Sequence, residues 1–188
     1  SAAGLIGITG TNARPSIAPT FGVENMMGTN PLAFAFPTDE EFPFCLDCAT
    51  SIIQRGKVEK AVREGKPVPP GLVVGENGQT MTAPAAVEAT NAAPSDAELK
   101  AAFSKFTVTY DEETGGYKGY GLAAVVEILS AALCGGPFMK GLNGRKADGS
   151  PDEFRLSHFF LVLDPEAFMG LDTFKKTAGD ICRSLRAS

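Results

Sequence analysis

The segment Leu32-Ala-Phe-Ala-Phe-Pro-Thr-Asp-Glu-Glu-Phe-Pro-Phe-Cys-Leu-Asp-Cys48 decides the fold. Leu32 to Phe36 has the apolar character of a buried strand that ends before Pro37. A second strand is expected from Phe42 to Cys48, after a short acidic turn. Two strands separated by so few residues are expected to pair as a hairpin.

Further strands are expected on both sides of this hairpin. Gly4 to Thr11 is an apolar run with strand character, Phe106 to Tyr110 alternates, and His158 to Asp164 is again apolar. Helical segments are mixed among these strands without a regular strand–helix alternation. The order therefore favours an α+β fold over a doubly wound one.

Helix boundaries follow from capping residues. Thr50 is expected to cap a helix that runs to about Glu64 and stops at Gly65, and Ser95-Asp-Ala-Glu98 has the pattern of a capping box. Asp172 is expected to cap the last helix, and Pro165 suits the first turn of a short one.

The segment from Tyr120 to Cys134 is almost wholly apolar, so it predicts a helix that is buried on most sides. We expect four side chains at helical spacing to belong to the core: Leu122, Val125, Val126 and Leu129.

The bulk properties exclude several classes of protein. The 188 residues suffice for one domain, and the net charge of -5 argues against nucleic acid or an anionic membrane as the main partner. No stretch approaches the roughly 18 apolar residues of a membrane span, and the N-terminus lacks the features of a signal peptide. We therefore expect a cytoplasmic protein, whose four cysteines are reduced and buried.

Three patterns are weak indications of a site. The glycines of Gly4-x-x-Gly7-x-x-Gly10 resemble a phosphate loop. Such a loop needs a helix directly after it, and Pro15 is incompatible with that helix, so close packing of a strand is the favoured interpretation. Cys45-x-x-Cys48 falls in a strand, where the two side chains point to opposite faces, so packing is favoured over zinc or redox chemistry. His158 is more often a structural residue than a catalyst in such a context. No metal site is expected.

The segment Gly115-Gly-Tyr-Lys-Gly-Tyr-Gly121 is the best single candidate site. Its glycines allow the backbone to approach a ligand, and the following helix presents unpaired N–H groups and a positive dipole end. Lys118 would complete an anion site. The alternative, a tight turn with a solvated lysine, is equally compatible with these residues alone.

Four ordered motifs together resemble the malate/L-lactate dehydrogenase family. They are Gly28-Thr-Asn-Pro-Leu-Ala-Phe-Ala-Phe-Pro37, Phe44-Cys-Leu-Asp-Cys-Ala-Thr-Ser51, Gly56-Lys57 and Lys118-Gly-Tyr-Gly-Leu122. The resemblance implies a mostly antiparallel sheet flanked by helices, distinct from a Rossmann fold. It also implies an oxidoreductase, usually a homodimer, that transfers a hydride between NAD or NADP and a small 2-hydroxy or 2-oxo acid.

The resemblance further implies five cofactor-binding residues: Asn12, Asp47, Cys48, Ala49 and Lys118. No catalytic residue is assigned, because the family's catalytic histidine lies upstream of the position equivalent to Ser1. Residues 1–188 are accordingly expected to be the central cofactor-binding part of such a domain, without the family's N-terminal and C-terminal segments. The alternative is a non-catalytic relative that serves as a structural or binding subunit.

Overall fold

The structure, a computed structural model, describes residues 3–75, 77–82, 106–108 and 115–188. The expected capping-box helix at Ser95 lies outside these residues. The strands are β1 (Ile6–Thr11), β2 (Leu32–Phe36), β3 (Phe44–Cys48), β4 (Val73–Gly75), β5 (Phe106–Val108) and β6 (His158–Leu163). The α-helices are α1 (Arg55–Arg63), α2 (Tyr117–Glu127) and α3 (Leu171–Ala187). A π-helical segment follows α2 at Ile128–Ala132, and 3-10 turns occupy Met139–Leu142 and Pro165–Ala167.

Four strands form an antiparallel sheet in the order β3-β2-β1-β6, and β4 pairs with β5 in a separate two-stranded sheet. The predicted hairpin is confirmed, since β2 pairs with β3 from Leu32 opposite Cys48 to Phe36 opposite Phe44. Strand β1 lies in the middle and pairs with both β2 and β6. The antiparallel order confirms the α+β class and leaves no Rossmann unit in the described residues.

The two faces of the four-stranded sheet differ in character. On one face Leu32 and Phe159 pack against Val126 of α2, with Ile8, Phe34 and Leu129 around them. Gly10 is required on this face, because a Cβ atom there would lie 2.6 Å from the Phe159 ring. The other face carries a row of neighbouring side chains, one from each strand. From β3 to β6 they are Asp47, Ala33, Thr9 and Phe160.

A second core lies between α1, β4 and the start of α2. It contains Ile17, Met27, Val58, Val62, Val68, Val73 and Ala123, all buried. Helix α1 begins at Arg55, so the predicted cap at Thr50 is wrong: the Thr50 hydroxyl donates instead to the Thr29 carbonyl at 2.9 Å. The predicted stop is confirmed, because Gly65 has a φ of 63° and its N–H closes the last turn on Val62.

Helix α2 differs from the prediction in its start and its burial. It begins at Tyr117, three residues before the expected Tyr120, so Lys118 lies within its first turn. Val126 is fully buried, whereas Leu122 and Val125 are 50% and 48% exposed, so the expectation of a helix buried on most sides is wrong. Only one stripe of the helix meets the sheet and the second core within the described part of the chain.

Helix α3 begins at Leu171, and Asp172 lies in its first turn instead of capping it. The Leu171 N–H donates to the Glu166 carboxylate, which the sequence did not indicate. The helix lies against the turn between β2 and β3, where Arg183 pairs with Asp39 at 3.0 Å. No helix in the described ranges is long and apolar enough to cross a membrane.

The cysteines are free, as expected, but the prediction that they are buried is wrong. Cys45 and Cys48 lie exposed on β3 because this strand forms an edge of the sheet. Cys134 is exposed at the end of the helix that follows α2, and Cys182 on α3 is half-buried.

A buried polar network joins the loop before β2 to helix α2. Asn30, which is fully buried and has a φ of 34°, accepts a hydrogen bond from the Ala13 N–H and donates to the Ala123 carbonyl. Its amide also donates to Glu127 at 2.8 Å, and the other Glu127 carboxyl oxygen accepts the Met139 N–H. Three separate segments are thereby fixed to one helix.

We predict that Val126→Ala lowers the free energy of unfolding by about 1.5–3 kcal/mol, because it removes two buried methyl groups and leaves a cavity at the sheet. Val125→Ala is the matched control and should change stability far less, since Val125 is half exposed. Urea unfolding followed by circular dichroism measures both. Equal losses would contradict the observed orientation of α2.

We also predict that the contact of α3 with the hairpin weakens in acid. The hydrogen bond from Arg183 lowers the pKa of Asp39 below its ordinary value of 3.8. The ionised pair therefore contributes its full stabilisation above pH 3.8, and this contribution is lost as the pH falls through the lowered pKa. Asp39→Asn should therefore lower the melting temperature at pH 7. The difference from the wild type should shrink below pH 3.8 and vanish once the pH lies below the lowered pKa of Asp39. Calorimetry at the two pH values checks this, and a difference that persists in acid would contradict it.

Candidate functional site

A small cavity forms where the segment after β3 meets the start of α2. We call it the glycine cavity; its volume is about 290 Å³ and its lining residues are Ala49, Thr50, Ser51, Ile52, Gly115, Gly116 and Gly119. Sequence reasoning selected the segment of Ala49 and the segment of Lys118 separately, and 68 residues separate Ala49 from Tyr117, the first residue of α2. The fold brings these two segments together.

The wall formed by α2 suits an anionic or polar ligand. The Gly116 backbone occupies the N-cap position, and no side chain caps this end of the helix in the described part. The Lys118 N–H donates to the Gly115 carbonyl. The other first-turn N–H groups and the positive end of the helix dipole are available to a ligand. Gly115 has a φ of 112°, a backbone conformation that side-chain-bearing residues rarely adopt, so the sharp entry into the helix requires glycine.

Lys118 lies between Gly116 and Gly119, which both line the cavity, and its side chain is exposed. Its N–H donates to the Gly115 carbonyl, and its ammonium lies 5.9 Å from the centre of the Tyr117 ring. Within the described ranges we find no carboxylate paired with this ammonium. The flexible side chain of Lys118 thus carries a positive charge beside the positive end of the α2 dipole, and the two repel each other. A hydrogen-bond acceptor on a ligand would relieve this repulsion.

Ser51 is a candidate site residue that is not among the five residues predicted from the sequence. It lines the glycine cavity, is only 8% exposed, and its hydroxyl has no hydrogen-bond partner among the described residues. A buried hydroxyl left without a partner costs free energy, and such a group commonly has a ligand or water as its partner. Its position two residues after the predicted Ala49 was the available signal.

Asp47 lies at a second, shallower cavity on the face of the sheet that points away from α2. This sheet-face cavity has a volume of about 210 Å³, and its lining residues are Thr9, Gly10, Thr11, Pro31, Ala33, Asp47 and His158. It places the carboxylate of Asp47 and the imidazole of His158, the chain's single histidine, around one depression. The main chain from Asp47 to Ala49 connects the two cavities.

Asn12 occupies a different kind of position. It is fully buried, its amide donates to the Pro137 carbonyl at 3.2 Å, and its oxygen accepts the Ser157 N–H at 2.9 Å. It lines neither the glycine cavity nor the sheet-face cavity. In this arrangement Asn12 fixes the end of β1 against the start of β6 and so supports the floor of the sheet-face cavity.

Cys48 is exposed and lies opposite Leu32 in the register, on the other face of β3 from Asp47. The structure therefore groups Ala49 with the Lys118 loop, places Asp47 in the adjoining cavity, and keeps Asn12 and Cys48 outside both. Two larger cavities, of about 610 and 400 Å³, lie between the β2–β3 turn and α3, and none of the five predicted residues lines them. No group of three or more potential metal-ligating side chains was found where the structure describes the chain.

Comparison with known proteins identifies the family of the chain. The sequence profile of the malate/L-lactate dehydrogenase family matches residues 1–188. The malate dehydrogenase of Pyrococcus horikoshii is 38% identical over 98% of this chain, and the L-sulfolactate dehydrogenase of Methanocaldococcus jannaschii is 35% identical over 98% of it. In both cases the match covers 47% of the relative, so the chain spans about half the length of these curated relatives.

Solved structures give the same result. The crystal structure of malate dehydrogenase from Entamoeba histolytica superimposes with a TM-score of 0.77 at 39% identity, covering 98% of this chain and 49% of the other. The sulfolactate dehydrogenase of Methanocaldococcus jannaschii has a TM-score of 0.77 at 32% identity and covers 100% of this chain and 48% of its own. Together with the profile match along its whole length, these similarities show that the chain belongs to the malate/L-lactate dehydrogenase family.

Proposed function

We propose that this chain forms the cofactor-binding part of a dehydrogenase that transfers a hydride between NAD or NADP and a small 2-hydroxy or 2-oxo acid, such as malate or lactate. The observation that carries the proposal is the glycine cavity, in which Ala49 and Ser51 face the start of α2 beside Lys118. Membership of the family supports the reaction class. Since the chain spans about half the length of its relatives, we assign it the cofactor-binding share of the reaction and no acid–base residue.

The residues of the glycine cavity fit a nicotinamide dinucleotide. The pyrophosphate, ribose hydroxyls and carboxamide of this cofactor offer acceptors for the first-turn N–H groups of α2 other than that of Lys118, and for the ammonium of Lys118. Ser51 would supply a hydroxyl that can donate or accept. A volume of about 290 Å³ accommodates only part of a dinucleotide, so the rest would extend along the surface.

Asp47 would accept a hydrogen bond from a ribose hydroxyl at the rim between the two cavities, and the small Ala49 would let the cofactor approach the backbone. Asn12 would act by holding the end of β1 in place below them. When bound, the nicotinamide ring supplies the hydride acceptor or donor, and the protein residues named here bind and orient it. The family resemblance extends the proposal to a cytoplasmic homodimer.

We predict that Lys118→Met weakens the binding of NADH or NADPH at least tenfold, about 1.4 kcal/mol, because a donor and a positive charge are lost at the cavity. The melting temperature should hardly change, since the side chain is exposed. Titration of the purified protein by the fluorescence of the reduced nicotinamide measures the affinity. Lys176→Met, which removes an exposed lysine of α3 that lines neither cavity, is the matched control.

Equal affinities of wild type and Lys118→Met would reduce Lys118 to a solvated residue of the first turn. Absence of binding by the wild-type protein to either nucleotide would overturn the proposed function and favour the alternative of a non-catalytic subunit.

We further predict that Ser51→Ala and Thr50→Val have opposite consequences, although both residues line the same cavity. Ser51→Ala should leave thermal stability unchanged or raise it, because it removes a buried hydroxyl without a partner, and should weaken cofactor binding by about 0.5–1.5 kcal/mol. Thr50→Val removes the hydrogen bond to Thr29 and should lower the melting temperature. The same titration, combined with thermal unfolding, separates the two. Destabilisation by Ser51→Ala with unchanged affinity would make Ser51 a structural residue.

A further inference from the structure

One face of α3 lies against the turn of the β2–β3 hairpin. Gly179 lies close to Asp39 on this face, because a Cβ atom added there would overlap the Asp39 carboxylate unless that side chain moved. One turn further along, Arg183 pairs with Asp39 and with Glu40. Arg186 pairs with Glu40 as well, and its guanidinium lies 6.0 Å from the centre of the Phe42 ring.

Cys182 lies on this same face, between Gly179 and Arg186. Helical neighbours at spacings of three and four residues share one side of a helix, which places Cys182 toward the hairpin. Cys182 and Arg186 both line the cavity between the hairpin and α3.

Cys45 of β3 faces the same space. A cavity of about 400 Å³ between the hairpin and α3 is lined by Thr38, Glu40, Phe42, Pro43, Phe44, Cys45, Cys182, Leu185 and Arg186. Cys45 is exposed and Cys182 half-buried, and both thiols are free. Cys48 points to the other face of β3, and Cys134 lies at the end of the helix after α2, so Cys45 and Cys182 are the two cysteines that line this cavity.

We propose that Cys45 and Cys182 form a redox-responsive thiol pair that closes to a disulfide between β3 and α3. The oxidant is a small-molecule disulfide such as glutathione disulfide. One protein thiolate attacks it, forms a mixed disulfide and releases one small thiol; the second protein thiolate then attacks the protein sulfur and releases the other. Two protein thiols are oxidised, one small disulfide is reduced to two thiols, and the two protons lost by the protein thiols pass to these products.

Closure of the bridge requires the elements that carry the two sulfurs to approach each other. A disulfide brings the two Cβ atoms to about 3.5–4.5 Å. Helix α3 is held on the hairpin by exposed ion pairs, which are individually weak and permit small displacements of the helix. The disulfide would replace these ion pairs with a covalent bond, two residues along β3 from Asp47. This inference does not depend on cofactor binding.

The test is incubation of the purified protein with glutathione disulfide, followed by intact-mass and peptide-mass analysis under non-reducing conditions. The expected product has lost two hydrogen atoms, and its cross-linked peptides contain Cys45 and Cys182. Its melting temperature should be higher than that of the reduced protein, and dithiothreitol should restore the original value.

Cys45→Ser and Cys182→Ser should each abolish the cross-link and the rise in melting temperature, whereas Cys48→Ser and Cys134→Ser should preserve both. A product that carries only bound glutathione, or a cross-link that contains Cys48 or Cys134, would overturn the proposal. So would a dimer linked between two chains in place of the internal bridge.

Discussion

The fold depends on the buried side chain of Asn30. This one amide accepts from the Ala13 N–H and donates to both the Ala123 carbonyl and Glu127, so it links the loop before β2 to two positions of α2. Glu127 extends the network to the Met139 N–H. Because an unpaired polar group in such a position is costly, the network fixes α2 against the sheet in one orientation.

That orientation determines the geometry of the candidate site. Helix α2 carries Glu127 at its C-terminal end, within the network, and the glycines of the cavity at its N-terminal end. The loop that bears Asn30 leads through Pro31 into β2, which in turn positions β3 and the segment of Ala49. The same buried hydrogen bonds therefore position both walls of the glycine cavity, although Asn30 and Glu127 lie outside the cavity. The network thus holds the backbone of the candidate site in place without contacting a ligand.

Local patterns in the sequence correctly predicted the structural features that depend only on neighbouring residues. The hairpin from Leu32 to Cys48, the stop of α1 at Gly65 and the strand at His158 follow from apolar runs and glycine signals that act over a few residues. The wrong predictions concern features that depend on contacts with residues distant in the sequence. Thr50 was expected to cap a helix, yet its hydroxyl bonds to Thr29, and α2 was expected to be buried although only the stripe of Val126 meets the sheet.

The same distinction holds within the site. The position of Ala49 and the glycines around Lys118 were predictable, because their proposed function rests on small size and on a helix end, and both are local properties. The proposed role of Ser51 rests on the lack of a hydrogen-bond partner for its hydroxyl, which only the assembled cavity reveals. Asn12 shows the converse: its motif position indicated a ligand contact, whereas the fold surrounds its amide with the Pro137 carbonyl and the Ser157 N–H. A polar residue in a family motif can therefore serve the site by bonding the backbone beneath it, and burial together with hydrogen-bond saturation distinguishes this role from direct contact with a ligand.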